Sequence, residues 1–90
     1  MTTPSEFLLI VCHTGPERGR AEVWEEEEPG LWREAASCHL QAPAYLDAPL
    51  RDAAEQWARE KGFKRPYGHV WVAGPRNYYL VVEPVVEPVA

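Results

Sequence analysis

The sequence predicts an α+β fold in the order β-β-β-α-β-β, a mainly antiparallel sheet with one helix packed on a face. Three observations predict it. The first forty residues hold strand-patterned runs separated by Gly/Pro turns. Leu50 to Ala58 carry the helical periodicity, and residues 67–83 double back about Gly74-Pro75-Arg76-Asn77.

Phe7 to Cys12 is apolar at every position, the pattern of a strand buried on both faces or flanked on both sides in the sheet. His13 to Gly19, with two Gly and one Pro, reads as a turn. From Arg20 to Glu27 the chain alternates, with Ala21 and Val23 pointing one way and Glu22, Trp24 and Glu26 the other. Pro29-Gly30 marks the next turn. Leu31 to Leu40 follows as a strand with Trp32, Ala36, Cys38 and Leu40 in period two. These three runs form an antiparallel meander.

Asp47 is the expected N-cap of the helix, with Pro49 in its first turn. Leu50, Ala53, Ala54, Trp57 and Ala58 fall on one stripe, and Trp57 is expected to be buried as the anchor between helix and sheet. Lys61-Gly62 ends the helix. In the second hairpin, a two-residue turn at Pro75-Arg76 pairs Ala73 with Tyr78 and Trp71 with Leu80. One face then carries Tyr67, His69, Trp71, Tyr78, Leu80 and Val82, the other Val70, Val72, Tyr79 and Val81. Pro84 ends the strand.

Ninety residues make one domain. The expected boundaries are a disordered N-terminus at 1–5, the folded unit at 6–84 and an extended tail at 85–90. The apolar run at residues 7–12 is too short for a membrane span or a signal-peptide core. The expectation is a cytoplasmic protein with no membrane partner. Cys12 and Cys38 do not form a secreted disulfide framework and are expected to be reduced and unligated. Cys12-His13 and Cys38-His39 look like halves of a metal site, but neighbouring strand residues point to opposite faces, so no metal or other cofactor is expected. Cys38 with His13 or His69 has no nucleophile elbow or oxyanion-forming turn beside it, and no Gly-rich phosphate loop occurs. A non-enzymatic role follows.

Charge divides the remaining readings. The chain carries a net −5, which opposes non-specific binding to nucleic acid. Residues 1–50 hold nine acidic and three basic side chains, residues 51–79 three acidic and six basic. Glu25, Glu26, Glu27 and Glu28 at a hairpin tip are the sharpest acidic feature, suited to a basic protein partner, to mimicry of nucleic-acid phosphates, or simply to keeping a sheet edge soluble. Lys64, Arg65, Tyr67, Arg76 and Tyr79 mix cations with rings, the combination that neutralises phosphates and stacks bases of single-stranded nucleic acid. The same mixture forms the rim of an ordinary core.

One resemblance bears on the second reading. Trp24, then Pro29-Gly30-Leu31-Trp32-Arg33, then a helix reading Ala53-Ala54-Glu55-Gln56-Trp57-Ala58, resembles the three-strands-plus-helix layout of integrase arm-binding and related small DNA-binding domains. It covers about half the chain and implies DNA binding. Those domains are basic where this chain reads Glu25 to Glu28.

The leading expectation is a binding or regulatory module acting through protein–protein contact at Glu25–Glu28, such as an inhibitor or accessory protein. The alternative is a nucleic-acid-binding module using residues 63–79. Homodimer formation is a further expectation, because small domains cover exposed edges and aromatic patches by pairing.

Overall fold

The computed structural model describes residues 6–15, 17–41 and 47–85. The expected frayed start (1–5) and the tail beyond Val85 lie outside the described residues. Seven elements follow in order: β1 (Glu6–Gly15), β2 (Arg18–Glu28), β3 (Leu31–Gln41), α1 (Asp47–Glu60), β4 (Phe63–Lys64), β5 (Val72–Ala73) and β6 (Tyr78–Pro84). The strands form one antiparallel sheet in the order β3-β2-β1-β6-β4, with β5 also pairing β6. The sheet curls into a half-barrel, and α1 packs on one face of it. No helix among the described residues is long and apolar enough to cross a membrane.

The expected α+β architecture is therefore present, with three local differences. The first turn is tighter than residues 13–19. Pairing of β1 with β2 continues to Gly15↔Arg18, inside the span expected to be turn. Glu17 takes the left-handed conformation there, at φ 64°.

The second difference lies in β3. Val23 pairs with Ala36 but Trp24 with Glu34, so Ala35 is an extra residue, a β-bulge. A bulge inverts the alternation beyond it. Trp32, opposite Glu26, consequently sits on the face away from Ala36, Cys38 and Leu40, not with them.

The third difference is in residues 63–73. Two short strands touch β6 where one long strand, 67–73, was expected. Tyr67 and Gly68 instead make a turn closed by the His69 N–H donating to the Pro66 carbonyl at 3.2 Å, with Gly68 at φ 84°. Pro66 removes a ladder donor and Gly68 supplies the positive φ, so the chain bends away from the sheet. The hairpin register holds at Ala73↔Tyr78, and the Gly74 N–H donates to Asn77 at 2.7 Å across Pro75-Arg76.

β1 lies between β2 and β6, which accounts for its apolar run. Its inward side chains Leu9 and Val11 meet Val23 and Ala21 of β2, and Leu80 and Tyr78 of β6. With Val82 and the helix residues Leu50, Ala54 and Ala58 these close the core, each fully or almost fully buried except Tyr78. Phe7 and Phe63 extend it at one end, with ring centroids 5.0 Å apart.

The helix seats through small residues. Leu50, Ala54 and Ala58, spaced by four, form the line nearest the sheet, and Trp57 lies on the flank, half-buried. Trp57 is thus not the central anchor. An indole on the central line would hold the helix farther out, whereas two alanines let it approach. Trp57→Ala is accordingly expected to cost about 1–2 kcal/mol in urea unfolding, against ~3–5 for a fully buried Trp. The helix ends as expected. Gly62 is left-handed at φ 92° and donates its N–H to Arg59 at 3.0 Å, while its carbonyl accepts from Val85 at 2.7 Å.

Candidate interaction surface

Among the described residues, no helix lies on the face of the sheet opposite α1. Alternation places Glu6, Leu8, Ile10 and Cys12 of β1 there, and Arg20, Glu22, Trp24 and Glu26 of β2. Past the bulge, β3 contributes Trp32 and Glu34, and β6 contributes Tyr79, Val81 and Glu83. Register orders these residues in rows across the strands. Glu34, Trp24, Leu8 and Val81 stand side by side, and the next row is Ser37, Glu22, Ile10, Tyr79 and Val72. Toward the β2–β3 turn, Trp32, Glu26 and Glu6 form a third row, which Glu83 extends on β6.

The two central rows are apolar at heart. Leu8, Ile10, Trp24 and Tyr79 are half-buried by one another, while Val81, Val72 and Trp32 are exposed. The Trp24 indole N–H is buried with no acceptor among the described residues. Around this patch stand five carboxylates and two cations. Arg20 pairs with Glu22 at 3.2 Å and Glu34 at 3.3 Å, and Lys64 with Glu83 at 3.6 Å. Glu6 and Glu26 face each other directly across β1 and β2. Like charges in that position repel.

The expected acidic cluster is divided by the pleat. Glu25 and Glu27 lie on the helix side and share Arg33, at 3.3 and 3.1 Å. Glu26 lies on the helix-free face and accepts the Gly30 N–H at 3.1 Å. Glu28 pairs across the turn with Leu31 and is exposed. The four glutamates therefore do not form one patch. The helix-free face is what a reading of the chain missed. Glu22-x-Trp24-x-Glu26 signalled it, but the unbroken apolar run of β1 concealed that Leu8 and Ile10 share its side.

The basic residues are likewise dispersed. Lys64, Arg65 and Tyr67 line an open cleft of about 590 Å³ with Arg59 and His69. Tyr67 is fully exposed at its turn. Arg65 and Arg59 both reach Glu55, at 3.8 and 3.7 Å, and the Trp71 indole N–H donates to the same carboxylate at 2.6 Å. Arg76 is in the β5–β6 turn. Tyr79 lies on the helix-free face, its hydroxyl donating to Asn77 at 2.9 Å. It is about 13 Å along β6 from the partner of Lys64.

Cys12 and Cys38 lie on opposite faces of the sheet with β2 between them. Two strand spacings are about 10 Å, beyond the ~7 Å Cα separation a disulfide spans. Burial pushes the Cys38 thiol up from its ordinary range, outweighing the Ala21 backbone hydrogen bond and the cations Lys61 and Arg20, which pull it down. A raised pKa leaves less thiolate at a given pH, which slows attack on an electrophile. In a Cys12→Ser variant, alkylation by iodoacetamide at pH 8 should be slower in the native protein than in urea. The native rate should climb only as the pH passes above the range of a free thiol. Equal rates in the two states would contradict this assignment.

The chain matches no known family model, no curated protein and no solved structure in comparisons with each.

Proposed function

We propose that this protein is a non-enzymatic binding module that acts through protein–protein contact, and that its working surface is the helix-free face of the sheet with the Glu26–Glu28 turn beside it. The observation that carries this reading is the composition of that face. A contiguous patch of Leu8, Ile10, Trp24, Trp32, Tyr79, Val72 and Val81 is bordered by carboxylates. An apolar centre with a polar rim is the anatomy of a protein interface, and aromatic side chains are enriched at such centres.

The test is affinity capture from the source cell with the wild-type chain, a Val81→Lys/Trp32→Glu variant and a control altered on exposed helix positions, Asp52→Asn/Glu60→Gln. Both face positions are exposed, so the fold should survive. A captured protein lost by the face variant and kept by the control supports the reading. Capture indifferent to the face variant overturns it.

Nucleic-acid binding is the second reading, favoured by fully exposed Tyr67 beside Lys64 and Arg65. Three phosphate contacts would give a salt slope of about −2 for a single strand. The net charge of −5 weakens the encounter. Saturable binding of a labelled oligonucleotide at low salt, lost in Lys64→Glu/Arg65→Glu, would favour this reading over the first.

A further inference from the structure

Resting on that reading of the helix-free face, we infer that its occupant is a basic amphipathic helix. The helix would lay apolar side chains over Trp24, Leu8 and Val81 and set Lys or Arg against the carboxylates of Glu6 and Glu26. Three features of the face specify this partner. The first is sign. Five carboxylates stand against two cations, and both cations are already engaged, Arg20 with Glu22 and Glu34 and Lys64 with Glu83. Glu6 and Glu26 stand opposite one another on neighbouring strands, Glu26 accepting the Gly30 N–H at 3.1 Å, and neither has a cation beside it among the described residues. A cation brought between two carboxylates is attracted by both and an anion is repelled by both, which selects a basic partner.

The second feature is layout. The carboxylate row Glu26, Glu6, Glu83 runs parallel to the apolar row Trp24, Leu8, Val81, two residues further along each strand. That offset is about 7 Å, within the width of one helix of about 10 Å diameter. A helix crossing the strands here would cover the apolar row with one stripe and reach the acid row with the adjacent one. The third is the architecture, in which one face of the sheet is covered by α1 and the other bears an apolar patch with no second layer on it among the described residues. A second copy fits poorly. Face-to-face association of two copies would bring the acid rows together, and nucleic acid is repelled by the same charges.

The probe is a 14-residue peptide of Leu and Lys in helical register, titrated by calorimetry and by amide chemical shifts, with a Leu/Glu peptide as the charge-reversed control. Binding at one peptide per chain is expected, with shifts at residues 8, 10, 24 and 81 and a gain of helical circular dichroism. Glu6→Gln/Glu26→Gln should weaken it about tenfold, because both cation contacts are lost. The same variant should keep a melting temperature within a few degrees of wild type, which separates the loss of binding from a damaged fold. Asp52→Asn/Glu60→Gln alters net charge equally on the helix side and should leave affinity within about twofold.

Equal weakening by both variants would reduce the effect to net charge and overturn the proposal. So would equal binding of the Leu/Glu peptide, or shifts confined to the α1 side. A dimer in sedimentation with residues 8, 24 and 81 at its contact would also overturn it, by giving the face to a second copy. If the peptide fails yet the face variant still loses a captured protein, the helix assignment falls and the interaction surface stands. If capture is also indifferent, both fall.

Discussion

Leu9→Ala is expected to destabilise the domain by about 2–5 kcal/mol, toward the upper end of that range for core leucines. Leu9 is wholly buried at the middle of β1, paired with Val23 on one side and Leu80 on the other. Two strand neighbours and the helix layer hold its surroundings in place, so the space left by the side chain cannot collapse. The transfer term and the cavity term therefore add. Small domains are stable by about 5–15 kcal/mol in total, so the variant should lose a large part of its folded margin. Urea denaturation followed by circular dichroism measures the change, read from the midpoint at constant slope. Leu8→Ala, one residue away on the opposite face, should cost clearly less, since its side chain is half-buried. Equal losses at the two positions would mean that the helix-free face is as well packed as the core.

Gly19→Ala should be the second large effect, and it has a built-in check. Gly19 is not a turn residue, despite its glycine-rich neighbourhood. It lies within β2 and pairs with His13 and Leu40. A Cβ placed there would run into Leu50 Cδ1 and lie 3.0 Å from the Cys12 carbonyl oxygen. Leu50 is itself fully buried at the start of the helix stripe, so its terminal methyl must shift within the core. Overpacking of this kind costs about 1–3 kcal/mol. The side chain of Leu50 is the main obstacle, so Leu50→Ala should remove most of the penalty. Each single change destabilises, and the double change should destabilise by less than the sum of the two. A coupling of about 1 kcal/mol or more is expected from groups in direct contact. Strict additivity would show that the helix does not rest on Gly19.

The acidic and basic segments show how local pattern and spatial surface diverge. Glu25 to Glu28 are consecutive, and consecutive strand residues alternate sides. One acidic run was therefore always going to yield two small groups, and only the ladder decided that Arg33 would take Glu25 and Glu27. Lys64, Arg65, Tyr67, Arg76 and Tyr79 are close in the chain, yet the turn at Tyr67-Gly68 separates Arg65, which faces the helix, from Tyr79, which faces away.

What the amino-acid sequence by itself determined is the order of elements, because turn residues and periodicity are local. Pro29-Gly30, Gly62 and Gly74-Pro75 end their segments through backbone conformations that neighbouring residues cannot override. The spacing of Leu50, Ala53, Ala54, Trp57 and Ala58 marks the apolar stripe of the helix, and only packing showed that its centre is the line Leu50, Ala54, Ala58 and not Trp57. The tertiary structure decided three things. The bulge at Ala35 moves Trp32 to the side of Trp24 and Glu34, and nothing in the residues of β3 announces it. The place of β6 beside β1, far away in sequence, makes β1 central and sets Val81 next to Leu8. Among the described residues the helix covers one face only, so the apolar run of β1, read as buried on both faces or flanked on both sides, is flanked on both sides and fully buried on one face. Each depends on pairing between distant segments, where the free energy comes from contacts that a local pattern does not contain.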